Sequence, residues 1–147
     1  MSEADALARR VAENMWRREG TSAAWGVAIE GARLGYSKLS MRVRADMLNG
    51  HDAAHGGIVF ALADTAFAYA CNSRNEITVG HYASITYLSA ANEGEILIAE
   101  ASETARVGRT GTYSVSVRTS DGRPIAEFAG TSRTIGGDYL AAQTEKD

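Results

Sequence analysis

The sequence has little of what secreted and membrane proteins need. Cys71 is its only cysteine, so no internal disulfide can form, and no Cys or His surrounds it at metal-ligand spacing. No apolar run approaches the roughly 20 residues that span a bilayer. Charged residues interrupt the N-terminal segment, unlike the apolar stretch of a signal peptide. We therefore expect a cytoplasmic protein that does not enter a membrane.

An excess of basic charge is also missing. The chain has 15 lysines and arginines against 18 acidic residues, a formal net charge of -3. This balance gives no general attraction to nucleic acid, so a nucleic-acid partner is not expected. Its 147 residues, 45% of them hydrophobic, are enough for one globular domain with its own core. We expect a single domain over residues 1–147.

The N-terminal third predicts one helix and one hairpin. Apolar residues fall on one face over residues 2–18, and Gly20 is a stop signal, so residues 1–20 are assigned to an N-terminal helix. Apolar and polar residues alternate towards the end of residues 26–44, which predicts two strands around a turn near residues 30–33.

The most informative segment covers residues 49–74. A polar, glycine-containing entry leads into residues 56–71, which predict about four turns of helix that is apolar on nearly every side. Asp64 interrupts this apolar surface. A carboxylate is costly to bury unless it is paired, hydrogen-bonded or used in chemistry. By itself, the pattern leaves open a structural carboxylate, capped by backbone or paired with an arginine.

Four strands are predicted after this helix, and their pattern indicates the fold class. They cover residues 77–88, 96–107, 112–119 and 123–135, with turn signals at residues 91–94, 108–111 and 121–122. Only a short polar tail, residues 140–147, follows. Consecutive hairpins and one apolar helix predict an α+β fold in which a curled antiparallel sheet of about six strands wraps a central helix. Such a sheet leaves edges that a second copy could cover.

Three motifs carry a resemblance to a known family. They are Met47-Leu48-Asn49-Gly50-His51, His55-Gly56-Gly57 and the stretch from Leu62 to Ser73 that contains Asp64. Together they resemble the signature of hotdog-fold acyl-CoA thioesterases, and more narrowly of the phenylacetate-degradation thioesterases, which hydrolyse phenylacetyl-CoA and its ring-hydroxylated relatives. The resemblance implies a hotdog fold, thioester hydrolysis at subunit interfaces, and dimers paired into a homotetramer. It implies no cofactor, because CoA is part of the substrate.

The chemistry of these motifs agrees with thioester hydrolysis. Backbone N–H groups of Gly56 and Gly57 at a helix start lack intrahelical partners and lie at the positive end of the helix dipole, where they can polarise a carbonyl. Asp64 can act as a general base or as a nucleophile, and the sequence leaves both open. Eight residues of helix separate Gly56 from Asp64 by about 12 Å, so one site needs Gly56 from one subunit and Asp64 from another.

Further site residues follow from the resemblance. It implies that His55 and Asn49 position the thioester or order the glycine loop, and that Thr65 contacts Asp64 or a water. A basic grip on the CoA phosphates is expected from five residues: Arg106, Gly108, Arg109, Thr110 and Arg133. Residues within reach of the acyl pocket are Phe60, Tyr82, Ser84 and Tyr87. Gly80 stands where some relatives carry a water-positioning serine or threonine.

Two other functions keep the same fold. A hydratase or dehydratase would use a histidine such as His55 to abstract a proton beside the carbonyl, and a non-catalytic module would bind acyl-CoA without turnover. His51, His55 and His81 do not have metal-ligand spacing, so no metal site is expected. The spacing from Gly56 to Asp64 favours the thioesterase over the hydratase, and the intact Asp64 argues against the non-catalytic module.

Overall fold

The architecture is one sheet wrapped around one helix, as predicted. The computed structural model describes all residues from Met1 to Asp147. Its helices are α1 (Glu3–Arg18), α2 (Gly20–Ala24), α3 (Gly56–Cys71) and α4 (Tyr139–Thr144), with a 3₁₀ turn at Ala45–Met47. Its strands are β1 (Ala28–Arg33), β2 (Tyr36–Arg42), β3 (Glu76–Tyr87), β4 (Ile96–Val107), β5 (Thr110–Thr119) and β6 (Pro124–Asp138). No helix is both long enough and apolar enough to cross a membrane.

All six strands belong to one antiparallel sheet in the order β1-β2-β4-β5-β6-β3. The strand that directly follows the central helix, β3, therefore lies at an edge and pairs only with β6. An edge strand leaves a row of backbone donors and acceptors unpaired. The edge at β3 lies beside α3, which places an open surface next to the helix that contains Gly56 and Asp64.

Helix α3 forms the centre of the core because its inner face is fully apolar. Leu62, Ala63 and Ala66 are buried against the sheet, and the Phe67 ring packs at 5.7 Å from Phe128 and 5.4 Å from Tyr113. Gly130 makes room for that ring, since a Cβ there would lie 2.9 Å from two Phe67 ring carbons. Because residue 130 has no side chain, the sheet can approach the helix closely at the Phe67 ring.

The sheet does not surround α3 completely, which corrects the expectation of a helix buried on nearly every side. The stripe through Gly57, Ala61, Asp64 and Ala68 is exposed or only partly buried. These positions recur at helical spacing, so they form one face. Asp64 therefore does not carry the cost of full burial within a single chain, and its position on the open face explains why the sequence tolerates it.

Several predicted boundaries were wrong. The first hairpin turns at Leu34–Gly35, where Gly35 has φ of 68°, and residues 30–33 belong to β1. The turn signal at residues 108–111 is shorter, because β5 already begins at Thr110. The C-terminal tail is not only polar coil: Asp138 caps α4 by accepting from the Ala141 N–H at 2.8 Å. Helix α1 ends at Arg18 as expected, but Gly20 does not stop helical structure, because a further short helix, α2, begins there.

Candidate active site

The loop before α3 is shaped by Asn49. Its side-chain oxygen accepts from the backbone N–H of His51 at 2.9 Å and of Ala53 at 3.2 Å. The Asn49 N–H in turn donates to the Ala53 carbonyl at 2.8 Å. Asn is well suited to such local turns because its short side chain can replace a backbone partner. Asn49 thus orders the loop that delivers the chain to Gly56.

The start of α3 presents one free donor where the sequence predicted two. His55 is the N-cap residue, and its Nδ1 accepts from the Gly57 N–H at 2.9 Å. The Gly56 N–H has no acceptor within the chain. Since a helix start leaves its first N–H groups without intrahelical partners, the Gly56 donor is available to a ligand, while the Gly57 donor is already used. His55 therefore accepts the hydrogen bond of the Gly57 N–H and leaves the Gly56 N–H without an acceptor.

Tyr87 fixes the position of Gly56. The Tyr87 hydroxyl donates to the Gly56 carbonyl at 2.7 Å, and a Cβ on residue 56 would lie 3.0 Å from the Tyr87 hydroxyl oxygen. Tyr87 ends β3, so this contact joins the edge strand to the start of α3. The hydrogen bond holds the peptide plane on the carbonyl side of Gly56 and limits the residue to glycine unless the tyrosine moves.

Asp64 lies in a cleft between α3 and β3 and has neither a hydrogen bond nor an ion pair within the chain. The cleft has a volume of about 360 Å³, and its lining is mostly apolar or aromatic: Phe60, Asp64, Phe67, Gly80, His81, Tyr82 and Ala83. The side chain remains exposed, but the surrounding protein removes part of its water and raises the pKa of Asp64 above the usual 3.8. Thr65 does not contact Asp64, because its hydroxyl donates to the Ala61 carbonyl at 2.7 Å.

A single chain does not bring Gly56 and Asp64 to one point. Both belong to α3, and eight residues of helix correspond to about 12 Å along its axis. A carbonyl carbon bound at the Gly56 N–H is therefore out of reach of the Asp64 carboxylate on the same helix. If both groups serve one reaction, each is half of a site, a half-site, and the two half-sites lie about 12 Å apart along α3.

The residues expected to grip CoA lie at one corner of the sheet. Gly108 has φ of 61° in the β4–β5 turn, Arg109 follows it, and Thr110 pairs with Arg133 across β5 and β6. Arg109 and Arg133 are exposed. Arg106 differs, because it donates to the Glu76 carboxylate at 2.9 Å. The Arg106 charge is thus already partly compensated within the chain.

Of the residues expected near the acyl pocket, Phe60 and Tyr82 line the cleft and Ser84 does not. Phe60 lines the cleft and packs edge-on against Phe128 at 5.4 Å between ring centres. Tyr82 also lines it. Ser84 pairs with Ala129 on the outer face of the sheet, since Ala83 and Ile85 on either side face the core, and it is exposed. Ser84 therefore does not line this cleft.

Sequence reasoning missed the irregularity of β3. The inward positions at the start of the strand do not follow the same alternation as those at its end, and this break marks a bulge between Gly80 and Tyr82. A count of alternating positions could have found it. The contact between Tyr87 and Gly56 carried no local signal, because it joins residues 31 positions apart.

Comparisons with known proteins identify the family of this chain. The sequence model described as the thioesterase superfamily matches residues 51–126, more than half of the chain. The chain belongs to the thioesterase superfamily. The match begins in the Asn49 loop and continues through α3 to the start of β6, so it includes both Gly56 and Asp64.

Individual thioesterase relatives agree with this assignment. The acyl-coenzyme A thioesterase PaaI of Escherichia coli is 37% identical over 126 residues, which are 86% of this chain and 90% of that protein. The solved structure of the E. coli PaaI protein from the phenylacetic acid degradation operon matches with a TM-score of 0.90 and 35% identity, covering 92% of this chain and 99% of that chain. The predicted hotdog fold and the predicted thioesterase class are confirmed.

A structure with a ligand is also similar. A hypothetical thioesterase protein with coenzyme A from Streptococcus pneumoniae matches with a TM-score of 0.73 and 25% identity, covering 76% of this chain and 88% of that chain.

Proposed function

We propose that this thioesterase hydrolyses an acyl-CoA thioester to the free acid and CoA, and that its acyl group is an aryl-acetyl group such as phenylacetyl or hydroxyphenylacetyl. The observation that carries the proposal is the pair of unused groups on the open face of α3. One is the Asp64 carboxylate, and the other is the Gly56 N–H. The aromatic walls at Phe60 and Phe67 support an aryl-acyl group, as does the similarity to the E. coli protein of the phenylacetic acid degradation operon.

The functional unit in this proposal is a dimer. Tyr87 contacts Gly56 at one end of α3, and Gly80 contacts Phe67 near the other, so α3 and the edge strand β3 run side by side in opposite directions. A second copy related by a two-fold axis across this open face would bring its own Gly56 to Asp64 of the first. Two composite sites result, each closed by both subunits. Pairing of two such dimers into a tetramer is part of the same proposal.

The two half-sites have complementary roles in the reaction. The Gly56 N–H, which has no acceptor within the chain, donates to the thioester oxygen and stabilises the oxyanion that forms when the carbonyl carbon is attacked. Asp64 of the other subunit either takes a proton from the attacking water or attacks the carbon itself to form a mixed anhydride. Its raised pKa makes the Asp64 carboxylate a stronger base than an ordinary aspartate. Asn49 contributes by ordering the loop before Gly56. Thr65 contributes within α3, where its hydroxyl donates to the Ala61 carbonyl.

CoA recognition is assigned to the corner formed by Gly108, Arg109, Thr110 and Arg133. The two arginines are exposed and have no ion pair within the chain, so their guanidinium groups are available to phosphate. Arg106 is a weaker candidate, because Glu76 already occupies it. The similarity to a thioesterase structure that contains coenzyme A supports CoA binding by this chain, while the choice of this corner rests on its exposed arginines.

The direct test is hydrolysis of an acyl-CoA panel, followed as release of free thiol. We expect phenylacetyl-CoA and its hydroxylated forms to be preferred over straight-chain acyl-CoA. Asp64→Asn should lower kcat by about 10² to 10⁴-fold while substrate binding is retained, because the amide keeps the shape but cannot act as base or nucleophile. Asp121→Asn, in the β5–β6 turn, is the matched control. Full activity in Asp64→Asn, or hydration of an enoyl-CoA without thiol release, would exclude the proposed reaction.

A further inference from the structure

The edge strand β3 changes its alternation in the middle. Thr78 and Gly80 face the core: Thr78 is buried and its hydroxyl is 3.0 Å from that of Thr134, and Gly80 lies against the Phe67 ring. At the other end, Ala83 pairs with the inward-facing Gly130, and Tyr87 reaches Gly56. Thr78 and Gly80, at even-numbered positions, face inward in the first half of the strand, whereas Ala83 and Tyr87, at odd-numbered positions, face inward in the second half. Since side chains alternate along a regular strand, β3 must contain one extra residue between Gly80 and Ala83.

That extra residue brings His81 to the inner face. The register of β3 against β6 shifts between Gly80 and Tyr82, which places Gly80 opposite Ser132 and Tyr82 opposite Thr131. Counting back by two from Ala83 gives His81 the same face as the core residues. His81 accordingly lines the cleft that contains Asp64. Bulges often occur next to active sites, where they redirect a side chain.

The neighbouring glycine cannot supply a functional group itself. A Cβ on residue 80 would lie 2.7 Å from a Phe67 ring carbon, closer than atoms can approach without a shift of the ring. The polar groups on this part of the cleft wall are therefore supplied by its neighbours, the His81 imidazole and the Tyr82 hydroxyl, and only the imidazole transfers protons readily near neutral pH. Its imidazole is exposed and forms neither a hydrogen bond nor an ion pair within the chain. His81 is thus an unused imidazole in the cleft that contains an unused carboxylate.

The proposed hydrolysis must deliver a proton to the departing sulfur as well as activate the attacking group. Whether Asp64 acts as base or nucleophile, the carbon–sulfur bond breaks and its electron pair leaves with the CoA sulfur. Free thiols ionise near pH 8.5, so at neutral pH the departing sulfur ends as a protonated thiol. Histidine is the side chain that most often transfers protons near neutral pH, and two titratable groups in one site commonly divide the roles of base and acid.

We propose that His81 is a catalytic residue that donates a proton to the departing CoA sulfur. This inference rests on the proposed function. In the base route, water loses a proton to Asp64, its oxygen bonds to the carbonyl carbon, the carbon–sulfur bond breaks, and the imidazolium N–H proton passes to sulfur. The proton on Asp64 then returns to the imidazole through solvent. In the nucleophile route an Asp64 oxygen bonds to the carbonyl carbon, the carbon–sulfur bond breaks and the imidazolium proton passes to sulfur. Water then attacks the mixed anhydride, which releases the free acid and the Asp64 carboxylate, and the proton that remains returns to the imidazole.

The test compares leaving groups. His81→Gln should lower kcat/KM for phenylacetyl-CoA by about 10²-fold, because Gln is polar but cannot transfer a proton. The same substitution should have little effect on the phenylacetyl thioester of 5-thio-2-nitrobenzoate, whose aromatic thiolate leaves without protonation. Thr86→Ala is the control, since Thr86 lies on the same strand, faces outward and is exposed. Its ratio between the two substrates should match that of the wild type.

Each outcome decides the question. An equal loss on both substrates would assign His81 a structural role and overturn the proposal, as would an unchanged rate on phenylacetyl-CoA. If the wild type hydrolyses acyl-CoA and Asp64→Asn is inactive while His81→Gln is not impaired, only the His81 inference fails. If the wild type releases no thiol from any acyl-CoA, the proposed function fails and the His81 inference with it.

Discussion

The two glycines at the start of α3 have the same residue type but different hydrogen-bonding states. His55 accepts from the Gly57 N–H, whereas the Gly56 N–H remains without an acceptor. The two glycines are adjacent in the motif, but only the Gly56 N–H can donate to a ligand. Gly56 is the donor to test, and Gly57 is needed mainly because His55 Nδ1 lies close to it: a Cβ on residue 57 would be 3.1 Å from that nitrogen.

A pair of substitutions isolates the Gly56 donor. Gly56→Pro removes the N–H at the first helical position, where proline is well tolerated, and the extended His55 (ψ of 135°) suits a following proline. Gly56→Ala adds a Cβ against Tyr87 but keeps the N–H. We expect kcat of the Pro variant to lie about 10² to 10³-fold below that of the Ala variant, measured as thiol release. Equal activity in the two would exclude the Gly56 N–H as the oxyanion donor.

The pH dependence of hydrolysis should report Asp64. Partial desolvation raises its pKa above 3.8, and the reaction needs the carboxylate form. Activity is therefore retained above this raised pKa and lost as the pH falls through it, so the loss begins at a higher pH than for an ordinary aspartate. The measurement is kcat/KM across the acidic range, with circular dichroism to check that the fold persists. A midpoint at the ordinary carboxyl value would contradict this expectation.

At the scale of elements, the contact between α3 and the sheet depends on small residues opposite one large ring. Phe67 sits over both Gly80 and Gly130, on the two neighbouring strands β3 and β6. Each glycine removes a Cβ that the ring would otherwise meet. The fit holds the helix close to the edge strand, and the cleft that contains Asp64 opens beside this contact.

This fit predicts a coupled change in stability. Gly130→Ala should lower the free energy of unfolding by about 1–3 kcal/mol, because the added Cβ overpacks a site already at van der Waals contact. Phe67→Leu frees space, so the cost of Gly130→Ala should be smaller in the double variant than in the wild type. Urea unfolding at one fixed protein concentration measures both. Gly20→Ala, which meets nothing within 4 Å, is the control; additive effects of the first two changes would contradict the coupling.

At the scale of the whole molecule, if Gly56 and Asp64 act together as proposed, association is part of the chemistry. The open face of α3 carries both of them, and β3 beside it has an unpaired edge. Covering this surface with a second copy would complete two sites at once and pair the exposed strand edge. A monomer would contain every residue of the site, but no thioester bound to it could contact both the Gly56 N–H and the Asp64 carboxylate.

Mixed dimers test this arrangement. When Asp64→Asn and Gly56→Pro chains are co-expressed, half of the dimers are mixed, and each mixed dimer contains one site with both groups intact. We therefore expect about a quarter of the wild-type activity, although each variant alone is nearly inactive. Tagging the two variants differently allows the mixed dimers to be purified. Activity no greater than that of the separate variants would mean that each site is built within one chain.

The elements were predictable where the signal is local. The bounds of α3 follow from an uninterrupted helical pattern between Gly56 and Cys71, and all four strands after it were expected within a few residues. The first turn was misplaced because Gly31 and Gly35 are both plausible turn residues, and only pairing of β1 with β2 selects Gly35. The helical tail was missed because six residues give too short a pattern.

By itself, the sequence determined the fold class, the family resemblance and the spacing that separates Gly56 from Asp64, because periodicity and spacing are properties of neighbouring residues. Only the tertiary structure decided that Asp64 is exposed, that Gly56 keeps its N–H free, and that His81 faces the cleft. Those outcomes depend on strand register, on competition for hydrogen bonds, and on the space that Phe67 occupies. Such contacts join residues far apart in the chain, and no local pattern encodes them.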